Sequence, residues 1–581
     1  MQSKVVALAS LGRKSLPNYY DLIAMALIFA GFIAIVRASH AMTLPITAPQ
    51  STVISLDYSL LPSYALRTTL RMLAAMVASL LFTFTYATWA AKSRRAERVL
   101  IPLLDVLQSV PILGFLSFTI TFFLGLFPGS TLGAECAAIF AIFTSQAWNM
   151  AFSFYQSLRT VPRELNEVAE GFHLSAWQKF WQLETPYAVP GLVWNMMMSM
   201  SGGWFFVVAS EAISVGDTTV KLPGIGSYLA VAIDHRRIDA VFAAIAAMLV
   251  VIIVYDQLLF RPLVTFSSRF RVELSAGEEP QRSWVLQLFR RTRWLRALSE
   301  IPAQIFDTVA LWRFELPPRL ILAARPKNRI QDRILDLLWI VGAAGTGLWG
   351  VWFIYHFVSD KLTLADFGQA VEFTCFTMFR VIALIALASI VWVPIGVQIG
   401  LRPRLAEKIQ PLAQFLAAFP ANVVFPIAVV LILHFGLNPD IWLSFLIIFG
   451  TQWYILFNVI GGAAAFPTDL KEAAAAFRVG GLDWWTKVML PGIFPAFVTG
   501  GLTASGGSWN AAIVAEYVKW GNDTVAAHGI GAYIAQATAV GDYPRIVLGV
   551  AVMSVFVIAF NRLLWRPLSR LAERRFRLDL G

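Results

Sequence analysis

Two apolar stretches each carry a glutamate where glutamate is expensive: Glu211 in "GWFFVVASEAI" and Glu516 in "SWNAAIVAEYV". An ionisable group within a membrane span costs roughly 2.5–3.5 kcal/mol on insertion scales, so each asks for a cavity, a partner or a place near the interface. Either glutamate could gate or line a solute path, or be satisfied by backbone N–H groups of the loop that follows. Since a carboxylate repels anions, the second role suits an anionic cargo better. Arg71 in "TTLR" and Arg380 in "TMFR" stand in a similar position and could snorkel, pair with glutamate or attract anions. Neutral donors are the better candidates for holding an anion: Ser199, Ser201, Trp204, Ser505, Ser508, Trp509 and Asn510 on the glutamate-bearing stretches, and Gln146, Trp148, Asn149, Gln452 and Trp453 on the preceding ones. Small residues in "SMSGGW" and "ASGGSW" allow helices to approach closely or leave room for a solute.

A second kind of chemistry sits in two polar segments, "EVAEGFHLSAWQKFWQLETP" from Glu167 to Pro186 and "EAAAAFRVGGLDWWTKVMLP" from Glu472 to Pro491. Each follows an apolar run, begins near a proline (Pro162, Pro467) with an acid (Glu164, Asp469) suited to a first helical turn, and ends where another run begins. Each therefore reads as a short helix between two spans, with charged residues offered to something outside the bilayer. No Gly-x-x-x-x-Gly-Lys-Ser/Thr run, His-Glu-x-x-His, Cys-x-x-Cys or Gly-x-Ser-x-Gly occurs, so the chain has no P-loop for ATP and no metallohydrolase or nucleophile-elbow motif.

The elements that must position these residues are transmembrane helices. Of 581 residues 58% are hydrophobic and only 14% charged, with a mean hydropathy of +0.66, against roughly 25% charged in soluble chains. About twelve apolar runs are long enough to span: 21–38, 66–91, 100–126, 135–157, 190–212 and 237–260, then 334–357, 374–400, 410–435, 441–464, 493–516 and 543–560. The expected class is an all-α polytopic membrane protein. The net charge of +11 does not point to nucleic acid, because the basic residues cluster in short connectors such as "AKSRRAER", "RPRLAEK" and "RPLSRLAERRFR". With both termini cytoplasmic, nearly all of these lie on one side. Cys136 and Cys375 read as small core hydrophobes, and no metal site is expected. The first apolar run, Leu22 to Val36, reads as a retained span. The stretch "LQLFRRTRWLRALSEIPAQIF" in the connector fits either a helix lying on an anionic leaflet or a solvated linker.

The chain is written twice. An offset of 305 pairs Pro162 with Pro467, Glu167 with Glu472, Pro186 with Pro491, Trp204 with Trp509, Glu211 with Glu516, and the "GIG" at Gly224 with that at Gly529. Upstream an offset of 309 pairs Thr68 with Thr377, Arg71 with Arg380 and Pro111 with Pro420. The expected division is a first six-span unit at 1–263, a basic linker at 264–332 and a second unit at 333–581, the polar segments lying at about 163–186 and 467–491. With an even number of spans each, the units share an orientation and are related by an axis along the membrane normal.

The polar segments resemble the Glu-Ala-Ala motif of bacterial ATP-binding-cassette (ABC) importer permeases, in Glu472-Ala473-Ala474 with Leu490-Pro491 and in Glu167-Val168-Ala169 with Thr185-Pro186. The tryptophan, Ala-Glu and Gly-x-Gly pattern is similar to the nitrate, sulfonate and taurine branch of type I importers. The resemblance implies a fused, duplicated inner-membrane permease that moves a small solute, an anion such as nitrate, a sulfonate, taurine or bicarbonate, by alternating access. A ferric-ion or other small-solute permease is the alternative within the class, and an ATPase-independent transporter or channel the one outside it. It further implies two separate ATPase subunits that carry ATP and Mg, an extracytoplasmic solute-binding protein, and no cofactor in this chain. The polar segments become coupling helices whose docking residues are Glu167, Ala169, His173 and Pro186, with Glu472, Ala474, Arg478 and Pro491. Ser201, Trp204, Glu211, Ser508, Trp509, Asn510, Glu516, Trp148, Asn149, Trp453, Arg71 and Arg380 become candidates for the path. Where the family has glycine, these copies have His173 and Arg478. A left-handed turn is awkward there, so a differently shaped elbow is expected, with Gly480-Gly481 supplying it in the second copy.

Overall fold

Helices take up nearly all of the computed structural model, which describes residues 54–128, 130–215, 218–270, 283–292, 300, 304–312 and 329–576. The expected first span lies outside these residues. In the first copy the order is α1 (Tyr58–Lys92), α2 (Arg94–Ser109), α3 (Ile112–Leu126), α4 (Thr131–Arg159), α5 (Arg163–Gly171), α6 (Ala176–Glu211), an antiparallel hairpin of β1 (Ala212–Val215) and β2 (Thr218–Lys221), α7 (Ile225–Asp234) and α8 (Ile238–Phe270). The connector contributes α9 (Trp284–Arg291) and α10 (304–310). The second copy repeats the series as α11 (Arg329–Ser359), α12 (Leu364–Gly400), α13 (Pro403–Ala418), α14 (Phe425–Phe435), α15 (Pro439–Phe449), α16 (Gln452–Ala464), α17 (Thr468–Ala476), α18 (Gly481–Ala515), β3 (Tyr517–Trp520), β4 (Asp523–Ala526), α19 (Ile530–Val540) and α20 (Tyr543–Arg575). The two hairpins, which interrupt an otherwise helical chain, follow the buried glutamates directly.

Among the described residues seven helices are long and apolar enough to cross a bilayer, or nine if the bent pairs α2–α3 and α15–α16 each count as one span. Of the twelve runs expected, 21–38 lies outside the described residues, 135–157 is the continuous helix α4, and prolines break 100–126 and 410–435. Val110 and Phe419, each before a proline, are both extended at ψ 126°, because the proline ring crowds the α conformation of the residue before it. The expected continuous span at 100–126 is therefore broken, with α2 and α3 meeting at 99°. The one at 410–435 is split into α13 and α14 by the same device. Cys375 is exposed and Cys136 half-buried, so neither is the core residue expected.

The contacts divide the chain into two compact units. One contains the described residues of Gln156–Trp194 and Val254–Pro326, and the other those of Ala41–Tyr155, Asn195–Ile253 and Lys327–Gly581. Within the larger unit the two copies are stitched together near their proline breaks. The Ile112 N–H donates to Asn510 Oδ1 at 2.8 Å, and Asn422 Nδ2 donates to the Phe205 carbonyl at 3.1 Å. Phe205 and Asn510 are equivalent positions in the two copies, as are Leu113 and Asn422, so the same seam forms twice. Ile112, Leu116, Ile120, Ala137, Ala141 and Phe206 form one apolar core there, and Ile399, Ala406, Ala413, Leu456 and Ile460 another.

Among the described residues five helices contain a single wide turn with i→i+5 bonding: Thr83–Ala87, Phe180–Glu184, Asp256–Phe260, Trp484–Met489 and Asn561–Trp565. Such turns are rare inside α-helices and favour functional places.

Candidate functional site

The Thr-x-x-Arg spacing places Thr68 and Arg71 on one face of α1, three residues apart. Both reach Glu211 at the C-terminal end of α6. Thr68 Oγ1 donates to Glu211 Oε1 at 2.7 Å, and Arg71 Nη1 donates to the same oxygen at 2.7 Å. The other two guanidinium nitrogens form a fork on Glu135, at the start of α4, with Nε–Oε2 at 2.5 Å and Nη2–Oε1 at 2.7 Å. Glu211 Oε2 accepts the Gly226 N–H at 2.7 Å, and Thr68 Oγ1 accepts the Ile225 N–H at 3.1 Å. The carboxylate thus rests on the N-terminus of α7, where the helix dipole favours negative charge. Arg71 and Glu211 are fully buried. The cluster ties α1, α4, α6 and α7 together and anchors both ends of the β1–β2 hairpin, whose bases are further joined by Leu222 N–H to Glu211 carbonyl at 2.9 Å.

The Gly-Ile-Gly runs follow from this arrangement. A Cβ at Gly224 would coincide with the Glu211 carboxyl group, and one at Gly226 with the Val208 carbonyl. Gly529 and Gly531 stand against Glu516 and the Ala512 carbonyl in the same way.

The second copy repeats the cluster with one altered corner. Thr377 Oγ1 and Arg380 Nη1 donate to Glu516 Oε1 at 2.8 and 3.0 Å, and the Gly531 N–H donates to Oε2 at 2.8 Å. The shorter Asp440 stands where the first copy has Glu135, taking one bond from Arg380 Nη2 at 2.8 Å. It also accepts the His528 N–H at 2.7 Å and faces His528 Nδ1 at 3.0 Å. Arg380 is 12% exposed and Asp440 37%, so this cluster opens toward solvent where the first is sealed. Glu135, Asp440 and His528 were not singled out from the sequence. The signal for the acids was present, since both open an apolar run at the 305 offset.

The neutral candidates are largely engaged within the protein. Ser201 Oγ lies 2.8 Å from the Tyr454 hydroxyl, joining the two copies, and Ser508 Oγ lies 3.0 Å from Thr451 Oγ1. Asn510 closes the seam described above, Asn149 accepts from Gln108 at 2.9 Å, and Trp148 packs edge-on to Phe82. Gln146 donates to Met72 Sδ at 3.1 Å and Gln452 accepts from Trp392 at 2.9 Å, while Trp453 packs against Trp392. Trp204 and Trp509 are both buried. Ser199 Oγ, Ser505 Oγ and Trp509 Nε1 are buried without a protein hydrogen-bond partner among the described residues.

Each polar segment is a helix, an elbow and the first turns of the next long helix, rather than the single short helix expected. In the first, α5 ends at Gly171 and the chain turns through His173, at φ 51°, into α6. The His173 N–H returns to the Glu170 carbonyl at 2.9 Å and the Leu174 N–H to that of Ala169 at 3.1 Å, the paired closing bonds of a Schellman cap. Arg478, also at φ 51°, repeats this with Ala475 at 3.0 Å and, through Val479, with Ala474 at 2.9 Å. The expected reshaping of the elbow is therefore corrected: the left-handed turn is kept without glycine. Gly481 does have a positive φ of 60°, but it lies beyond this cap. Ala169 and Ala474 are buried at the caps, whereas Glu167, Glu472, His173 and Arg478 are exposed, and Pro186 and Pro491 lie half-buried in the long helices. Phe172 and Phe477, among the most exposed large apolar side chains, stand at the two elbow tips and were not singled out as site residues. Holding a non-glycine residue in this backbone region costs of order 1 kcal/mol. His173→Gly and Arg478→Gly should each raise stability by up to about 1 kcal/mol, read as a small upward shift in detergent thermal unfolding, while Ala at either position should not.

The model of the family described as "Binding-protein-dependent transport system inner membrane component" matches residues 84–260 and 392–577, together more than half of the chain. Similar curated proteins include the bicarbonate transport system permease protein CmpB of Synechococcus elongatus, 30% identical over 32% of this chain and 65% of its own length. The nitrate import permease protein NrtB of Leptolyngbya laminosa is 26% identical over 32% of this chain and 62% of its length. The glycine betaine/carnitine transport permease protein GbuB of Listeria monocytogenes is 27% identical over 32% and 61%. These matches thus span less than two thirds of each relative. The chain belongs to the binding-protein-dependent inner membrane component family, carries that family's domain twice, and is an all-α multi-pass membrane protein.

Proposed function

We propose that the chain is a two-fold permease of an ATP-driven ABC importer for a small anion, with bicarbonate and nitrate as the first cargoes to test. The observation that carries this reading is the pair of exposed, identically capped elbows at Glu167–His173 and Glu472–Arg478, each inside a copy of the family domain. One chain therefore supplies both handles that two ATPase subunits would grip, and ATP and Mg belong to those subunits. In this reading both termini and the 264–332 linker are cytoplasmic, and the units run 1–263 and 333–581. An extracytoplasmic binding protein delivers cargo to the face formed around the hairpins.

The charges favour an anion held by neutral donors. Arg71 and Arg380 are committed to carboxylates, which leaves the Ser199 and Ser505 hydroxyls and the Trp509 indole N–H as buried donors open to a solute. Ser201, Trp204, Ser508, Asn510, Trp148, Asn149 and Trp453 would shape the surrounding path, and the two clusters of Glu211 and Glu516 would hold its outer rim. The full chain, purified with the ATPase that accompanies it and reconstituted with its binding protein, should show ATP-dependent, vanadate-sensitive uptake of labelled bicarbonate or nitrate at least tenfold above background. Vanadate-sensitive uptake of glycine betaine alone would move the cargo to that branch, and purification with no ATPase would overturn the reading.

A further inference from the structure

The two docking elbows share a cap, but their second arms differ in what they touch. In the smaller unit, α10 and the residues after it lie along the start of α6. Trp177 Nε1 donates to the Val309 carbonyl at 2.7 Å, Gln178 Nε2 donates to the Leu311 carbonyl at 2.9 Å, and the Trp181 ring meets Phe306 edge-on at 5.4 Å. Gln178 is aimed for this by a capping box, in which its Oε1 accepts the Ser175 N–H at 3.0 Å and leaves the amide nitrogen free to donate outward.

At the equivalent positions the second copy has Leu482, Asp483 and Thr486, with Gly480 in place of Ser175. None of these can reproduce the contacts, and they turn elsewhere. Leu482 is 82% exposed, Asp483 pairs with its own helix neighbour Lys487 at 3.1 Å, and Thr486 bonds the Leu482 carbonyl. The copies have thus diverged at the positions that hold the connector while keeping Pro162/Pro467, the glutamate, the buried alanine, the phenylalanine tip and the left-handed cap.

We infer that the linker is a brace on the first docking segment, which makes the two segments unequal: the first is stiffened through residues 304–312, and the second has no such contact among the described residues. This rests on the docking role proposed above and adds a regulation of that site. The brace also sets Ile305, Leu311 and Trp312, each more than half exposed, on the same unit as Val168 and Phe172. The first elbow so offers its ATPase a broader apolar surface than Phe477 and Leu482 do.

Amide hydrogen exchange on the full chain in lipid nanodiscs tests the brace without any ATPase. Residues 177–184 should exchange at least tenfold more slowly than 482–489, and W177L/Q178D/W181T, which installs the second copy's residues, should bring the two to within about twofold and expose 304–310. Phe306→Ala, on the linker side, should loosen 304–310 while leaving the docking segment's sequence intact. It serves as the check if the triple variant fails to fold. Equal exchange of the two segments in the native chain, or unchanged protection in the variants, would overturn the brace. In the complex with its co-purifying ATPase, adding ATP and vanadate should change exchange more at 482–489 than at 177–184, and equal changes would overturn the inequality. Loss of the ATPase would instead count against the docking role, with the nanodisc result standing by itself.

Discussion

Arg71→Met should lower the unfolding free energy by about 3–5 kcal/mol, the range for removing one partner of a buried ion cluster, and should abolish most of the folded yield. Methionine fills similar volume, so the loss comes from charge rather than from a cavity. Glu135 would lose both fork bonds and Glu211 one of its donors, inside a region from which water is excluded. Arg380→Met should cost about half as much, because Asp440 is reached by solvent and keeps its bonds from His528. Thermal unfolding in detergent, followed by tryptophan fluorescence, measures both. Adding Glu135→Gln and Glu211→Gln to Arg71→Met should recover part of the loss, since neutral amides tolerate burial better than orphan carboxylates. Equal losses at Arg71 and Arg380 would contradict the difference in burial.

On the docking role proposed above, Glu167→Lys combined with Glu472→Lys should weaken association with the ATPase subunits at least a hundredfold and remove uptake, with the permease itself still folded. Both glutamates are exposed, and their side chains make no hydrogen bond or ion pair among the described residues, so reversing their charge should act on a partner rather than on stability. Turning an attractive interfacial contact into a repulsive one costs several kcal/mol, and the duplication doubles the effect within one chain. Each single reversal should leave a complex with one subunit weakly held. Co-purification under fixed salt reads the association, and an unchanged complex in the double variant would remove the elbows from the docking site.

The sequence makes the duplication, the helical class and the paired Thr-x-x-Arg and Gly-Ile-Gly runs legible because each depends on spacing, which a chain displays directly. The partners of Arg71 are less legible. Glu135 opens a span sixty-four residues away, and only the equivalence with Asp440 marks it. The breaks at Pro111 and Pro420 are written in the proline positions, yet the apolar character continues across them, so hydropathy joins what backbone sterics separate. The elbow is a different case. Steric preference argues against His173 and Arg478 at positive φ, but two closing hydrogen bonds, one of them to the carbonyl of a buried alanine, hold each turn, and about 1 kcal/mol of strain is too little to undo them.

The wide helical turns set the phase of the helical faces that follow them. Each arises when one extra residue slips into a regular helix and rotates everything downstream by about 100°, so it survives only where the following face has adapted to it. The turns at Asp256–Phe260 and Asn561–Trp565 coincide at the 305 offset, and those at Phe180–Glu184 and Trp484–Met489 overlap at it. Both copies therefore rotate the helical faces that follow by the same step at the same place in the repeated unit. The turn at Thr83–Ala87 has no counterpart in the unbroken helix Leu364–Gly400, so the copies differ in phase at that one place.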